Sequence, residues 1–118
     1  MNVAVVGIGR IGLPVAATIA SKGHRVFGCD VNAALVERVN GAENPIPDEA
    51  GLDAMLREVV ASGNFTATTD TAGAGAQCQV VLFAVPGTAA ILGTDDDVAA
   101  FDRFFHEGKH VEAPVAMH

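Results

Sequence analysis

The stretch Val5-Val6-Gly7-Ile8-Gly9-Arg10-Ile11-Gly12-Leu13-Pro14 sets three glycines at the spacing G-x-G-x-x-G between an apolar run and an amphipathic segment. This restricts the folds open to the chain more than any other feature. Asn2–Val6 is short, β-branched and apolar, which reads as a buried parallel strand. After the glycines, Ile11, Val15 and Ile19 recur at helical spacing as far as Lys22, and Gly23 supplies a C-terminal stop. Pro14 falls in the first helical turn, where its missing N–H costs little. The glycines therefore stand at a strand-to-helix corner, where one lets the chain turn and another lets the helix lie close to the sheet.

The same alternation continues downstream. Arg25–Asp30 reads as a second strand, and Asn32 as the cap of a short helix through Leu35, Val36 and Val39. A Pro- and Gly-rich loop over 40–51 leads to an amphipathic helix over Leu52–Val60, stopped by Ser62-Gly63-Asn64. Phe65–Thr68 is expected as a short third strand, Thr71–Ala76 as a loose turn, and Gln79–Val85 as an apolar fourth strand. Strands and helices in this order predict right-handed βαβ units, hence an α/β class with a Rossmann-type parallel sheet and flanking helices. We expect about four strands, and a divergent C-terminal helix capped at Thr94-Asp95-Asp96-Asp97 with Val98, Phe101, Phe104 and Phe105 on its apolar face. A chain of 118 residues has room for a single core. Within it, 1–86 is expected to be the ligand-binding domain and 87–118 a tail packed on it or trailing from it.

The corner also has the makings of a site. Gly9 removes the Cβ that would keep a pyrophosphate from the backbone, and the first-turn N–H groups of the helix favour an anion. A dinucleotide fingerprint further needs an acid at the end of the second strand, roughly 20 residues on. Asp30 stands eighteen residues after Gly12. Its carboxylate would accept both ribose hydroxyls of NAD and repel the 2′-phosphate of NADP. Val31-Asn32-Ala33 offers no cation for that phosphate, so NAD is the expected cofactor. For Arg10 two readings stand, a phosphate contact or a solvated surface charge.

With these residues in view, the chain resembles the N-terminal domain of the UDP-glucose/GDP-mannose dehydrogenase family, and within it the UDP-N-acetyl-D-mannosamine dehydrogenases most. The resemblance rests on Gly7–Pro14, Gly23–Asn32, Pro45-Ile46, Glu49–Leu52, Ala67–Asp70 and Phe83–Pro86, and is read to end near residue 86. It implies an enzyme that oxidises a nucleotide-sugar alcohol to a carboxylate in two NAD-dependent hydride transfers. It also implies that Gly7, Ile8, Gly9, Arg10, Ile11 and Gly12 frame the pyrophosphate, Asp30 and Val31 the adenosine ribose, and Val85-Pro86 the nicotinamide side. No residue of the family's catalytic set has a counterpart here, so the chain is expected to be a truncated, inactive NAD module that meets a nucleotide sugar only with further domains. It departs from the family's pattern at Arg10, where Tyr is usual, at Ala50, at Gly87-Thr88, and by an extra residue within Pro47-Asp48. Two other readings remain: a non-catalytic nucleotide-sensing module, which would lack the Pro45–Leu52 loop, and a ligand-free structural or dimerisation domain.

Charge and composition exclude other roles. A net charge of −7 argues against nucleic acid or an anionic membrane as partner, and the longest apolar run is broken by Pro86-Gly87. Met1-Asn2-Val3 lacks the basic lead of a signal peptide, and Cys29 and Cys78 have no metal spacing; both point to a cytoplasmic chain with structural thiols. His106-Glu107-Gly108-Lys109-His110 spells H-E-x-x-H, but Gly108 interrupts it and no convincing third ligand follows, so no metal is expected. His24 is expected in a surface turn beside Gly23. Val80–Val85, apolar on both faces, would leave a sticky edge open to homo-oligomerisation unless the tail covers it.

Overall fold

In a computed structural model the described residues are 1–85 and 88–92, the last strand as backbone alone. Their elements run β1 (Asn2–Val6), α1 (Gly12–Ser21), β2 (Arg25–Cys29), α2 (Ala33–Asn40), α3 (Leu52–Ser62), β3 (Phe65–Thr68), α4 (Thr71–Ala76), β4 (Val80–Val85) and β5 (Thr88–Leu92). The sheet order is β3-β2-β1-β4-β5, with the first four strands parallel and β5 antiparallel to β4. Crossing from β3 to β4 passes over β2 and β1, so the strand order reverses beside β1. In such sheets ligands bind at that reversal, outside the carboxyl ends of the strands.

Alternation along the strands divides the core into two layers. Val3, Val5, Val26, Phe65, Ala67, Val80 and Leu82 face one side, against Leu13, Ala16, Ala17 and Ile19 of α1 and Leu56 and Val59 of α3. Ala4 and Cys29 face the other, against Ala74 of α4, with Val6, Phe27, Cys78 and Val81 partly buried around them. Gly28 is required by the first layer. A Cβ there would stand 2.7 Å from Phe65 Cζ and 2.9 Å from Ile8 Cγ2, so the residue is glycine in order to seat both side chains.

Two expectations need correction. Thr71–Ala76 is a helix, not a loose turn: Asp70 caps it by accepting the Gly73 N–H at 3.0 Å, which offsets the poor helix propensity of its two glycines. His24 is buried at 5% exposure, because Gly23, at φ 95°, turns the chain back into β2 rather than out to solvent. The apolar edge of β4 meets the condition set for it, since residues 88–92 of the tail cover it, with Val85 paired to Thr88 and Val81 to Leu92. The expected helix after Thr94 and the H-E-x-x-H run lie outside the described residues.

The free edge of the first layer is tied down by a side chain. Asn40, last residue of α2, donates from Nδ2 to the Ala67 carbonyl at 2.9 Å and accepts the Ala67 N–H on Oδ1 at 2.8 Å. It gives β3 two of the hydrogen bonds that a neighbouring strand would supply. Asn40→Ala leaves both groups of the buried Ala67 unpaired and is expected to cost about 2–4 kcal/mol, read as a lowered urea midpoint at unchanged slope. Burial pushes the His24 pKa below its usual 6.5, so the unfolded chain takes up its proton first as pH falls. Stability should therefore decline as pH drops below about 6.5, and thermal melts of His24→Gln should show less of that decline.

Candidate functional site

The ends of β1, β2 and β4 meet the N-terminus of α1 at the strand-order reversal. Gly7 leaves β1 at φ 94°, and its N–H donates to the Cys29 carbonyl at 2.7 Å. A Cβ on Gly7 would lie 2.5 Å from the Ala84 carbonyl oxygen. A Cβ on Gly12 would lie 1.6 Å from the carbonyl oxygen of Gly7, an overlap that no rearrangement of a side chain relieves. These two glycines are fixed by packing within the protein. Gly9 differs: among the described residues nothing lies within 4 Å of the position its Cβ would take. Its lack of a side chain serves no internal contact and leaves open space at the corner.

Asp30 faces that corner from the end of β2. Its Oδ2 accepts the Ile8 N–H at 3.2 Å and its Oδ1 the Asn32 N–H at 3.0 Å, so the carboxylate is held by the glycine loop and by its own turn. Val31 beside it is 93% exposed and Ile11 44% exposed, and neither belongs to the core formed by the described residues. Helix α1 begins without a side-chain cap or an acidic residue in its first turn. The Leu13 N–H already donates to the Gly9 carbonyl at 3.0 Å and Pro14 carries none, so among the described residues the Gly12 N–H at the helix start is what this turn offers an anion. Asn32, in contrast, caps α2 as expected, its Oδ1 accepting the Leu35 N–H at 3.1 Å.

The structure brings Gly7, Ile8, Gly9, Arg10, Ile11, Gly12, Asp30 and Val31 to one corner. The backbone of Val85 ends β4 beside it, and Pro86 lies outside the described residues. Arg10 is neither free nor alone. It makes a two-pronged ion pair with Asp48, Nη1 to Oδ2 at 2.9 Å and Nη2 to Oδ1 at 3.3 Å. The hydrogen bond from Arg10 holds the exposed Asp48 carboxyl below its ordinary range. Sequence reasoning did not single out Asp48 as a site residue. No local pattern around Asp48 points to a partner 38 positions away. Next to this bridge, a cavity of about 450 Å³ opens between α1 and α3, lined by Pro14, Val15, Thr18, Glu49, Leu52 and Met55.

Cys29 and Cys78 are free thiols, and burial raises the pKa of both. Neither reaches the corner as an activated nucleophile. Among the described residues no group of three or more His, Cys, Asp or Glu could hold a metal ion, and no helix is long and apolar enough to cross a membrane.

A glycine corner opening a helix, with a carboxylate from the neighbouring strand turned toward it, defines a dinucleotide-binding domain of the Rossmann type. Residues 1–103 match the UDP-glucose/GDP-mannose dehydrogenase family, NAD binding domain, and the chain belongs to that family. The match includes the Pro45–Leu52 loop and runs past residue 86, where the resemblance was expected to end. GDP-mannose 6-dehydrogenase of Pseudomonas putida is 35% identical over 61% of this chain and 16% of its own length. UDP-N-acetyl-D-mannosamine dehydrogenase of Yersinia pestis is 41% identical over 72% of this chain and 19% of its own. Among solved structures, a ternary complex of GDP-mannose dehydrogenase from Pseudomonas aeruginosa superposes with a TM-score of 0.69 at 25% identity, covering 89% of this chain and 24% of that one. The chain thus spans about a fifth of the length of the relatives it matches.

The contrast between the glycines is testable. Gly12→Ala should destabilise the fold by about 3 kcal/mol or more, or abolish it, since carbonyl and methyl cannot share the space. Gly9→Ala should melt within about 2 °C of the unsubstituted protein yet bind NAD at least about tenfold more weakly. Thermal denaturation and titration calorimetry read the two effects separately.

Proposed function

We propose that the chain is the cofactor-binding part of a nucleotide-sugar 6-dehydrogenase, and that its corner holds NAD through Gly7, Ile8, Gly9, Arg10, Ile11, Gly12, Asp30, Val31, Val85 and Pro86. The observation that carries this is the open space at Gly9 beside the Asp30 carboxylate, at the end of an uncapped helix. Gly9 admits the pyrophosphate, and the Gly12 N–H at the start of α1 faces it, aided by the helix dipole. Asp30, pre-positioned by Ile8 and Asn32, accepts hydrogen bonds from the adenosine ribose hydroxyls. Because its two oxygens already face backbone donors, its direction is set before ligand arrives. Val31 and Ile11 supply apolar surface at the adenosine end, and the end of β4 borders the nicotinamide side.

When bound, NAD supplies the hydride acceptor for oxidising a sugar alcohol to a uronate. The chain's own residues bind and orient it, and the sugar would be held by domains such as those that make up the rest of the relatives' length. Matched relatives named for GDP-mannose, UDP-N-acetyl-D-mannosamine and NDP-N-acetyl-D-galactosaminuronic acid leave the sugar open among nucleotide sugars. We read residues 1–86 as the cofactor unit and 87–118 as a tail packed on it or trailing from it; the pairing of β5 with β4 joins 88–92 to its sheet. The two free thiols support a cytoplasmic setting, and uronate formation supports a role in polysaccharide biosynthesis.

Calorimetry with NAD, NADH and NADP tests the cofactor reading. NAD should bind, NADP should bind at least about tenfold more weakly, and Asp30→Ala should lose about tenfold or more in NAD affinity while narrowing that preference. No binding at millimolar NAD, or equal binding of NADP, would remove the assignment.

A further inference from the structure

The Arg10–Asp48 pair joins the glycine loop to the loop between α2 and α3, two segments 38 residues apart in sequence. Both side chains are exposed, at 71% and 64%, so the pair adds little to folding stability. Its placement is more informative. Arg10 lies within the G-x-G-x-x-G segment, between the open Gly9 and the start of α1. Asp48 engages both terminal nitrogens of its guanidinium, the edge that a phosphate would also take in a two-pronged contact. Carboxylate and pyrophosphate therefore compete for one edge of one side chain. Glu49 adds a second carboxylate whose charge Arg10 also feels. An anionic ligand entering here meets two acids and one cation, on a chain whose net charge is −7.

We propose that Asp48 is a positioning residue that holds Arg10 over the corner in the ligand-free chain, and that the guanidinium passes from the Asp48 carboxylate to the cofactor pyrophosphate on binding. This rests on the NAD reading above. The exchange is feasible because an exposed ion pair is weak, whereas arginine stays charged and forms the same fork with phosphate. While paired, Asp48 lowers apparent affinity and draws its loop toward the corner; once exchanged, that loop loses its tether to the glycine loop.

Asp48→Asn keeps the shape of the side chain and removes its charge. At low salt it should bind NAD and ADP-ribose about two- to fivefold more tightly than the unsubstituted chain, with the gain shrinking at 0.5 M salt. Adenosine, which carries no phosphate, should bind both proteins equally. Melting temperatures within about 2 °C of each other would show that the fold is intact. In a crystal structure with ADP-ribose, the Arg10 guanidinium should lie on the pyrophosphate and no longer on Asp48. Unchanged or weaker ADP-ribose binding by Asp48→Asn, an equal gain for adenosine, or a guanidinium still on Asp48 in the complex would each overturn the exchange while leaving the NAD reading intact. Absence of NAD and ADP-ribose binding by both proteins would overturn the two readings together.

Discussion

The contact on which the rest of the structure depends is the approach of α1 to the end of β1, so close that a methyl group on Gly12 would lie 1.6 Å from the Gly7 carbonyl oxygen. This approach lets Leu13, Ala16, Ala17 and Ile19 bury themselves on the sheet, and the small residues of α1 are its consequence further along the helix. It also directs the first turn of α1 over the ends of the parallel strands, where Gly7 and Ala84 bring β1 and β4 together. Packing and binding draw on one backbone geometry. Gly7 and Gly12 belong to packing, while the space at Gly9 is left to a ligand.

The parts legible in the sequence are those in which local pattern and tertiary demand agree. The bounds of β1 and β3 follow from short apolar runs, Asn32 from its capping chemistry, and Asp30 from its distance to the glycines. Where the reading failed, a long-range partner overrode the local signal. Thr71–Ala76 contains two glycines and looks loose, but Asp70 caps it and Ala74 packs under Ala4 and Cys29. His24 looks like a turn residue until the left-handed Gly23 directs the chain back into β2. The pairing of β5 with β4 had its signal in two apolar runs close together in sequence, of which the sequence reading took only the first as a strand. Nothing local joins Arg10 to Asp48, since neither residue alone predicts a partner 38 positions away.

The antiparallel β5 also changes the edge of the sheet. A parallel neighbour for β4 needs a crossover of a dozen or more residues, whereas an antiparallel one needs only a tight connection. With two residues between the paired Val85 and Thr88, this chain protects the apolar flank of β4 with little additional sequence. The strand also fixes the end of β4, whose Ala84 carbonyl sets the space available to Gly7. The outer edge of the sheet thus supports the corner from the side opposite Asp30.

Electrostatics at that corner are asymmetric in a way that the net charge conceals. An acidic chain is a poor host for a polyanion, yet a helix N-terminus with no acid in its first turn remains locally attractive to one small anionic group. On the NAD reading proposed above, Asp30 would discriminate within that group, since a carboxylate held by two backbone N–H groups cannot easily turn away from an added phosphate. Asp48 acts at a different point, on the cation rather than on the ligand. On these two proposals, one acid would select which dinucleotide fits and the other would set how readily Arg10 is given up to it. Because the first is fixed by the fold and the second sits on an exposed loop, selectivity and affinity at this corner can change independently of one another.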